Sequence, residues 1–413
     1  MNPIAEPAAA PNAASVAVPS PDALAMIDRL IGIPTVSRDS NLGVIELARD
    51  HLARLGLRPH LVYDRREKKA NLFCTLADDA AASKRGRNSG GIVLSGHSDT
   101  VPVDGQDWTS DPFTADHRDG RIHGRGSADM KGFIAIALAW AERFVAAQDR
   151  LPIHLAITYD EETTFIGVRG LVADLAERGI RPAGCIIGEP TDMRAIVAHK
   201  GKRDWCCRVR GQEAHSSLTP AGVNAIEYAA QLIAYIRALA DRLARDEPRD
   251  DRFEVPYTTL QTGVIRGGIA VNVVPRDCEF FFEMRNIPGA ATEPLEREIA
   301  DYARQQLLPP MHRVTAAADI RFEPGMSIPA FGIAPDAPLV QWAMQLAGSR
   351  RLGTGAVSFA TEASVFMDAG IPTVVLGPGS IEQAHKPDEY ISYDQVAACE
   401  AFFARLIESA PPG

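Results

Sequence analysis

Apolar and polar positions alternate along most of the chain in a way that predicts strands separated by helices. Continuous apolar runs at 92–96, 153–159 and 185–188 have the length and composition of strands buried on both faces. Between them, 133–145 is an apolar helix and 167–178 a helical stretch. Upstream, Ser20 or Asp22 is placed to cap a helix that runs through Leu30. A second helix covers 44–55 and is closed by Gly56, and a strand follows at 71–76. A polar loop of Lys, Arg, Asn, Ser and Gly separates that strand from the one at 92.

From about Lys202 the pattern changes. A strand at 204–210 precedes a long helix, 223–243, with apolar residues at Val223, Ile226, Ala230, Ile233 and Ile236. Strands at 257–265 and 271–284, a helix at 293–307 and a strand at 314–322 complete an order typical of a compact α+β unit on an antiparallel sheet. A helix at 338–347, a strand at 373–376 and a helix at 395–407 then resume the earlier style. The expected organisation is a disordered Ala- and Pro-rich tail over 1–21, a catalytic domain made of 22–201 plus 323–413, and an inserted domain over 202–322. The inserted sheet ends in strands that a symmetric partner can extend or cover, and its long helix offers a second surface, so a homodimer through this domain is expected.

The predicted strands carry chemistry at their carboxyl ends, where ligands bind in open α/β sheets. The first runs into Ser95, Gly96, His97, Ser98 and Asp99. Successive strand residues point to opposite faces, so His97 and Asp99 share one, and the carboxylate can hold or polarise whatever the imidazole binds. The strand at 153–159 ends in Asp160, Glu161 and Glu162, and the one at 185–188 in Glu189. In GRGSADMKG, 124–132, Asp129 stands just ahead of a helix, where the ordinary job of an Asp is to cap. A solvated charge run accounts for one such cluster; it does not account for the repetition.

Composition narrows the function. The 413 residues suggest two or three domains at roughly 150 residues each. A balance of 43 basic against 53 acidic residues argues against nucleic-acid binding and mildly favours small or cationic partners. Six cysteines without a CxxC pair point to a reduced, cytoplasmic chain. With no uninterrupted apolar run of about 18 residues, no membrane span is expected.

A pair of metal ions about 3.5 to 4 Å apart needs a bridging carboxylate, terminal His and carboxylate ligands, and an open position for water. His97, Asp129, Glu162, Glu189 and His385 supply two imidazoles and three acids of that kind. Glu161, next to a ligand but pointing elsewhere, is placed as a general base.

Taken in order, HSDTVP, GRGSADMKG, YDEE, GEPT and AHKPDE, interrupted by an inserted segment with GQEAHSS and GGIAVNVVP, resemble the M20 family of dinuclear zinc amidohydrolases and carboxypeptidases. The likeness runs from about residue 22 to the C-terminus. It implies an α/β, zinc-peptidase-like catalytic domain, a mixed sheet flanked by helices, with an inserted α+β dimerisation or lid domain. It also implies two zinc ions per subunit, for which cobalt can substitute. By this resemblance His97 and Glu189 hold one ion, Glu162 and His385 the other, and Asp129 bridges them through a carboxylate followed by a cis peptide. Asp99 orients His97, and Glu161 is the base. Ala128 stands where many members carry Cys or Ser, a position that supplies no ligand.

His215 would stabilise the oxyanion, arriving from its own or the partner subunit; its plain alternative is a surface histidine. Lys200, Asn272, Arg285 and Thr361 resemble substrate-side residues, Arg285 offering a bidentate fork to an α-carboxylate. A strand Arg is about as often an ion-pair partner. AHKGKRDW, AHSSLTPAGVNAI, SFATEASVF and GPGSIEQAHKPDEY resemble the branch of the family that deacetylates N2-acetyl-L-ornithine, so a small acylated amino acid is the expected substrate. Desuccinylation of succinyl-diaminopimelate, aminoacylase or dipeptidase activity, and a non-catalytic binding role on the same scaffold are the alternatives.

Overall fold

The computed structural model describes residues 18–77, 90–148 and 151–409. Residues 1–17 of the expected tail, and 78–89 of the polar loop, lie outside the described residues. Among the described residues sixteen strands follow in chain order: β1 (His60–Tyr63), β2 (Ala70–Thr75), β3 (Ile92–His97), β4 (Asp116–Arg118), β5 (Arg121–His123), β6 (Ile153–Thr158), β7 (Gly184–Ile187) and β8 (Ile196–His199). After these come β9 (Lys202–Arg210), β10 (Thr259–Gly267), β11 (Asp277–Arg285), β12 (Asp319–Ile328), β13 (Phe331–Gly332), β14 (Gly355–Val357), β15 (Thr373–Val375) and β16 (Tyr390–Ser392).

Nine of them build a mixed sheet in the order β1-β2-β6-β3-β7-β15-β8-β13, with β14 also paired to β8. Its centre is parallel: β6, β3, β7 and β15 run side by side in one direction. All residues of β3, β6 and β7 are buried, which is why their sequences are mainly apolar rather than alternating. Since β6, β3 and β7 are parallel neighbours, their carboxyl ends lie together at one sheet edge, and so do the acids and the imidazole that follow them.

Helix Lys131–Ala139 packs on one face beside Pro21–Ile31 and Tyr393–Glu408. Its approach is close: a Cβ on Gly188 would come within 2.1 Å of the Phe133 ring, so the strand end that leads to Glu189 needs a glycine. Ile166–Glu177 and Ala363–Asp368 cover the other face. Ser20 caps the first helix, its side chain accepting from the Ala23 amide.

A second, four-stranded antiparallel sheet has the order β10-β11-β9-β12, with β10 and β12 at its edges. Ala225–Asp246 and Glu293–Tyr302 pack on one of its faces around a separate core that includes Trp205, Cys207, Leu232, Ile236, Phe280 and Phe282. A small sheet, β16-β5-β4, ties the segment before Asp129 to the segment after His385.

Several elements differ from the sequence expectation. The helix expected at 133–145 comes in two pieces, Lys131–Ala139 and Ala141–Ala146, which meet at Trp140. The strand expected at 271–284 begins only at Asp277, because Pro275 has no N–H for a ladder and the Val273 and Val274 amides donate to Ala270 and Ala214 instead. The strand expected at 314–322 begins at Asp319, since the Val314 amide still closes a helical turn onto Met311. It continues to Ile328 by a bulge after Pro324. The helix expected to stop at Leu307 runs on through a π turn into Leu308–His312, whose prolines sit in the first turn where no amide is required. All six cysteines are free. Among the described residues no helix is long and apolar enough to cross a membrane.

Candidate metal centre

His97 is the last residue of β3 and fully buried. Its Nε2 lies 3.0 Å from Asp129 Oδ1 and 3.7 Å from Glu189 Oε1. The other oxygen of Asp129 lies 3.4 Å from His385 Nε2, and that nitrogen is 3.1 Å from Glu162 Oε2. The five residues thus form a chain, Glu189–His97–Asp129–His385–Glu162, in which Asp129 turns one oxygen to each imidazole. The peptide bond between Asp129 and Met130 is cis. Glu161 adjoins the chain: ligand atoms of His97, Glu161 and Glu189 lie within 4.8 Å of one another, as do those of His97, Asp129 and Glu162.

The residues behind this chain fix its orientation. His97 Nδ1 is 2.9 Å from the Asp99 backbone oxygen and 3.7 Å from the Asp99 carboxylate. The carboxylate instead accepts from the Ser37 hydroxyl at 2.7 Å and from the amides of Glu161 and Glu162 at 3.2 and 3.3 Å. Asp99 therefore orients His97 through its main chain, while its side chain aims the turn that carries Glu161 and Glu162.

A pocket of about 190 Å³ opens on Asp129, Glu161, Glu162, Glu189 and His385, walled by Phe359 and its neighbours. Among the described residues, neither Lys nor Arg lines it. Burial raises Glu161, Glu162 and Glu189, and neighbouring carboxylates add to the effect. Burial works to raise Asp129 too, but hydrogen bonds with His385 and His97 bring it below the usual carboxylate range. Hydrogen bonds with Asp129 and Glu162 push His385 up to about 10. Burial opposes a charged His97, yet the hydrogen bond with Asp129 and the charges of Glu189 and Glu161 hold it well above an ordinary imidazole. Four acids, three buried and Glu162 half-buried, face two imidazoles; once ionised they leave a negative excess that divalent cations would balance, and imidazole with carboxylate is a donor set suited to zinc. An ion entering here must displace the protons that the imidazoles hold.

Glu362 escaped the sequence reading. It is 1% exposed at the head of Ala363–Asp368, and neither of its carboxylate oxygens has a hydrogen bond of good geometry. The legible hint is an acid set in the apolar stretch SFATEASVF. Burial pushes Glu362 from 4.5 to about 7, with Asp99 adding to the rise and Thr158 and His97 opposing it. A carboxyl raised on folding favours the folded state below its unfolded pKa, and the advantage disappears as pH rises through the folded value. Metal-free protein is therefore expected to lose stability between about pH 4.5 and 8 on this account, by on the order of 3 kcal/mol. Glu362→Gln should reduce that slope without abolishing it, since Glu161, Glu162 and Glu189 are raised in the same sense, as measured by urea unfolding at a series of pH values; an unchanged slope would refute the assignment.

The remaining expected residues are not brought to this pocket. Lys200 is buried, with Nζ donating to the Tyr257 carbonyl at 2.7 Å. Thr361 is buried, its carbonyl 3.1 Å from His199 Nε2. Arg285 is half-buried with Nη2 3.4 Å from Glu283 Oε2, the ion-pair alternative. His215 and Asn272 are exposed side by side on the inserted unit, where the Ser216 amide donates to the Asn272 carbonyl at 3.0 Å. None of the five lines the pocket of the metal centre. The same loops expose Leu218, Ile269 and Val271.

Residues 93–409 match the model of peptidase family M20/M25/M40. Among curated proteins, acetylornithine deacetylase of Edwardsiella ictaluri is 36% identical over 395 residues, covering 94% of this chain and 97% of the relative. The protein of that name from Salmonella arizonae is 40% identical over 306 residues, 74% of this chain and 76% of the relative. Among solved structures, a tripeptidase from Staphylococcus aureus superposes with a TM-score of 0.72 at 20% identity, covering 95% of this chain and 98% of the other. A dinuclear metal-binding M20 peptidase from Bacillus subtilis superposes with a TM-score of 0.63 at 14% identity, covering 93% and 96%.

Proposed function

Because the chain belongs to peptidase family M20/M25/M40, and is a metal-dependent amidohydrolase, we propose that it hydrolyses N2-acetyl-L-ornithine to L-ornithine and acetate, a step of arginine biosynthesis in the cytoplasm. The observation that carries the metal chemistry is Asp129, with one oxygen toward each imidazole. The choice of substrate is supported by curated relatives 34–36% identical over 94% of this chain that share the name acetylornithine deacetylase.

Two zinc ions are assigned to the site: His97 and Glu189 would hold one, Glu162 and His385 the other, and Asp129 would serve both. When bound, such ions lower the pKa of water and polarise a carbonyl. Glu161 takes the proton of the attacking water and returns it to the departing amine, a task matched by its raised proton affinity. Arg285, Lys200, Asn272 and Thr361 are assigned to the amino-acid end of the substrate, with Arg285 on the α-carboxylate. A homodimer through the inserted unit supplies His215 to the partner's site, where it stabilises the oxyanion. Exposed Leu218, Ile269 and Val271 beside His215 and Asn272 support that assembly, since a contact would cover them.

Zinc-reconstituted protein should turn over N2-acetyl-L-ornithine with kcat/KM at least about 100-fold above that for N-succinyl-diaminopimelate or a dipeptide, because a pocket built for one set of polar groups strands them with another. A higher value for either competitor would reject acetylornithine as the substrate.

A further inference from the structure

We infer that Glu389 and Arg125 form a positioning clamp that fixes Asp129 and fastens it to the loop carrying His385; the inference rests on the reading that these two residues hold metal. Both clamp residues are 1% exposed, and their side chains meet at 2.7 Å through Arg125 Nη1 and Glu389 Oε2. The same oxygen accepts from the Gly126 amide at 3.1 Å. Oε1 accepts from the amides of Ala128 and Asp129 at 2.9 and 3.0 Å. One carboxylate thus takes four donors, three of them main-chain N–H groups from the turn that ends in Asp129.

The guanidinium reaches the other way. Arg125 Nη1 lies 3.3 Å from the Lys386 carbonyl, and Nη2 donates to Gln106 Oε1 at 2.6 Å. Gln106 Nε2 in turn donates to the His385 carbonyl at 2.8 Å. One network therefore holds the main chain of Asp129 and of His385, and its bonds reach neither Glu162 nor Glu189. A brace needed only for folding would have no reason to end on these two residues. Partners of this kind commonly change metal affinity about 10- to 100-fold when removed, without touching the ion.

The test is a cobalt titration of metal-free protein, followed by visible absorption and by equilibrium dialysis, on wild type, Glu389→Gln and Gln106→Met. Glu389→Gln keeps the shape but turns an amide toward amide donors. Gln106→Met removes the link to the His385 carbonyl, together with the acceptor that Gln106 Oε1 offers to Arg125 Nη2 and Trp108 Nε1, and leaves the Arg125–Glu389 pair intact, so it serves if the first variant fails to fold. Wild type should bind two ions. In Gln106→Met one ion should bind as in wild type and the other about 10- to 100-fold more weakly. In Glu389→Gln both should weaken, and kcat should recover as cobalt is raised while KM stays near the wild-type value. Unchanged affinities in both variants, or a lower melting temperature alone, would overturn the clamp and leave the metal assignment standing. A wild type that binds fewer than two ions would overturn the assignment itself, and the clamp with it.

Discussion

Glu161→Gln should retain two metal ions per subunit and lose about 10² to 10⁴ in kcat, the range typical of a missing general base, with any misplacement of the water adding to it. The substitution preserves volume and removes only the ability to accept and return a proton. Glu161 is buried, lines the pocket, and is held by its amide against Asp99 Oδ1 at 3.2 Å, so its carboxylate is presented by a fixed turn. It makes none of the His–carboxylate contacts that join Glu189, His97, Asp129, His385 and Glu162. The rival reading is also geometric, since its ligand atom lies within 4.8 Å of those of His97 and Glu189. Metal analysis separates the two. Zinc content falling to one ion or none in the variant would make Glu161 a ligand and remove it as the base.

The second large effect is a recovery. His215→Ala and Glu161→Gln should each be nearly inactive alone. After subunit exchange, a mixture should regain up to about a quarter of wild-type activity, because half the dimers are mixed and each mixed dimer holds one complete site. The expectation follows from where the residues lie: His215 is exposed on the inserted unit and does not line its own chain's metal pocket, while Glu161 does. Homodimers of either variant contain no site with both groups. If exchange is verified by mass and no activity returns, His215 serves its own subunit or has no catalytic role. The metal assignments do not depend on that outcome.

Much of this was legible in the chain itself because burial writes itself into sequence. β3, β6 and β7 are covered on both faces, so they are short, mainly apolar runs without strict alternation, and the charged residues at and after their ends are conspicuous. The same sequence logic found the antiparallel unit, whose β9 alternates as one covered face demands. Local rules failed where neighbours decide. Pro275 and the amides of Val273 and Val274 delayed the start of a strand, and the two- and three-residue strands β13, β14 and β16 exist only because distant strands, β8 and β5, offer them partners.

The site divides along the same line. His97, Asp129, Glu161, Glu162, Glu189 and His385 were identified from the residue types that follow strands and precede a helix, since metal chemistry restricts those types narrowly. Their convergence depended on strand order, which placed β6, β3 and β7 side by side, and on the return of the chain that brings His385 to Asp129 across more than half of the sequence. Whether the Asp99 carboxylate or its carbonyl meets His97, which further acid is buried near the site at Glu362, and how Glu389 takes hold of the turn before Asp129 are settled by side-chain directions in the packed chain. A linear sequence specifies which groups are available and which faces are apolar; the directions and distances at which those groups meet arise only once the layers pack.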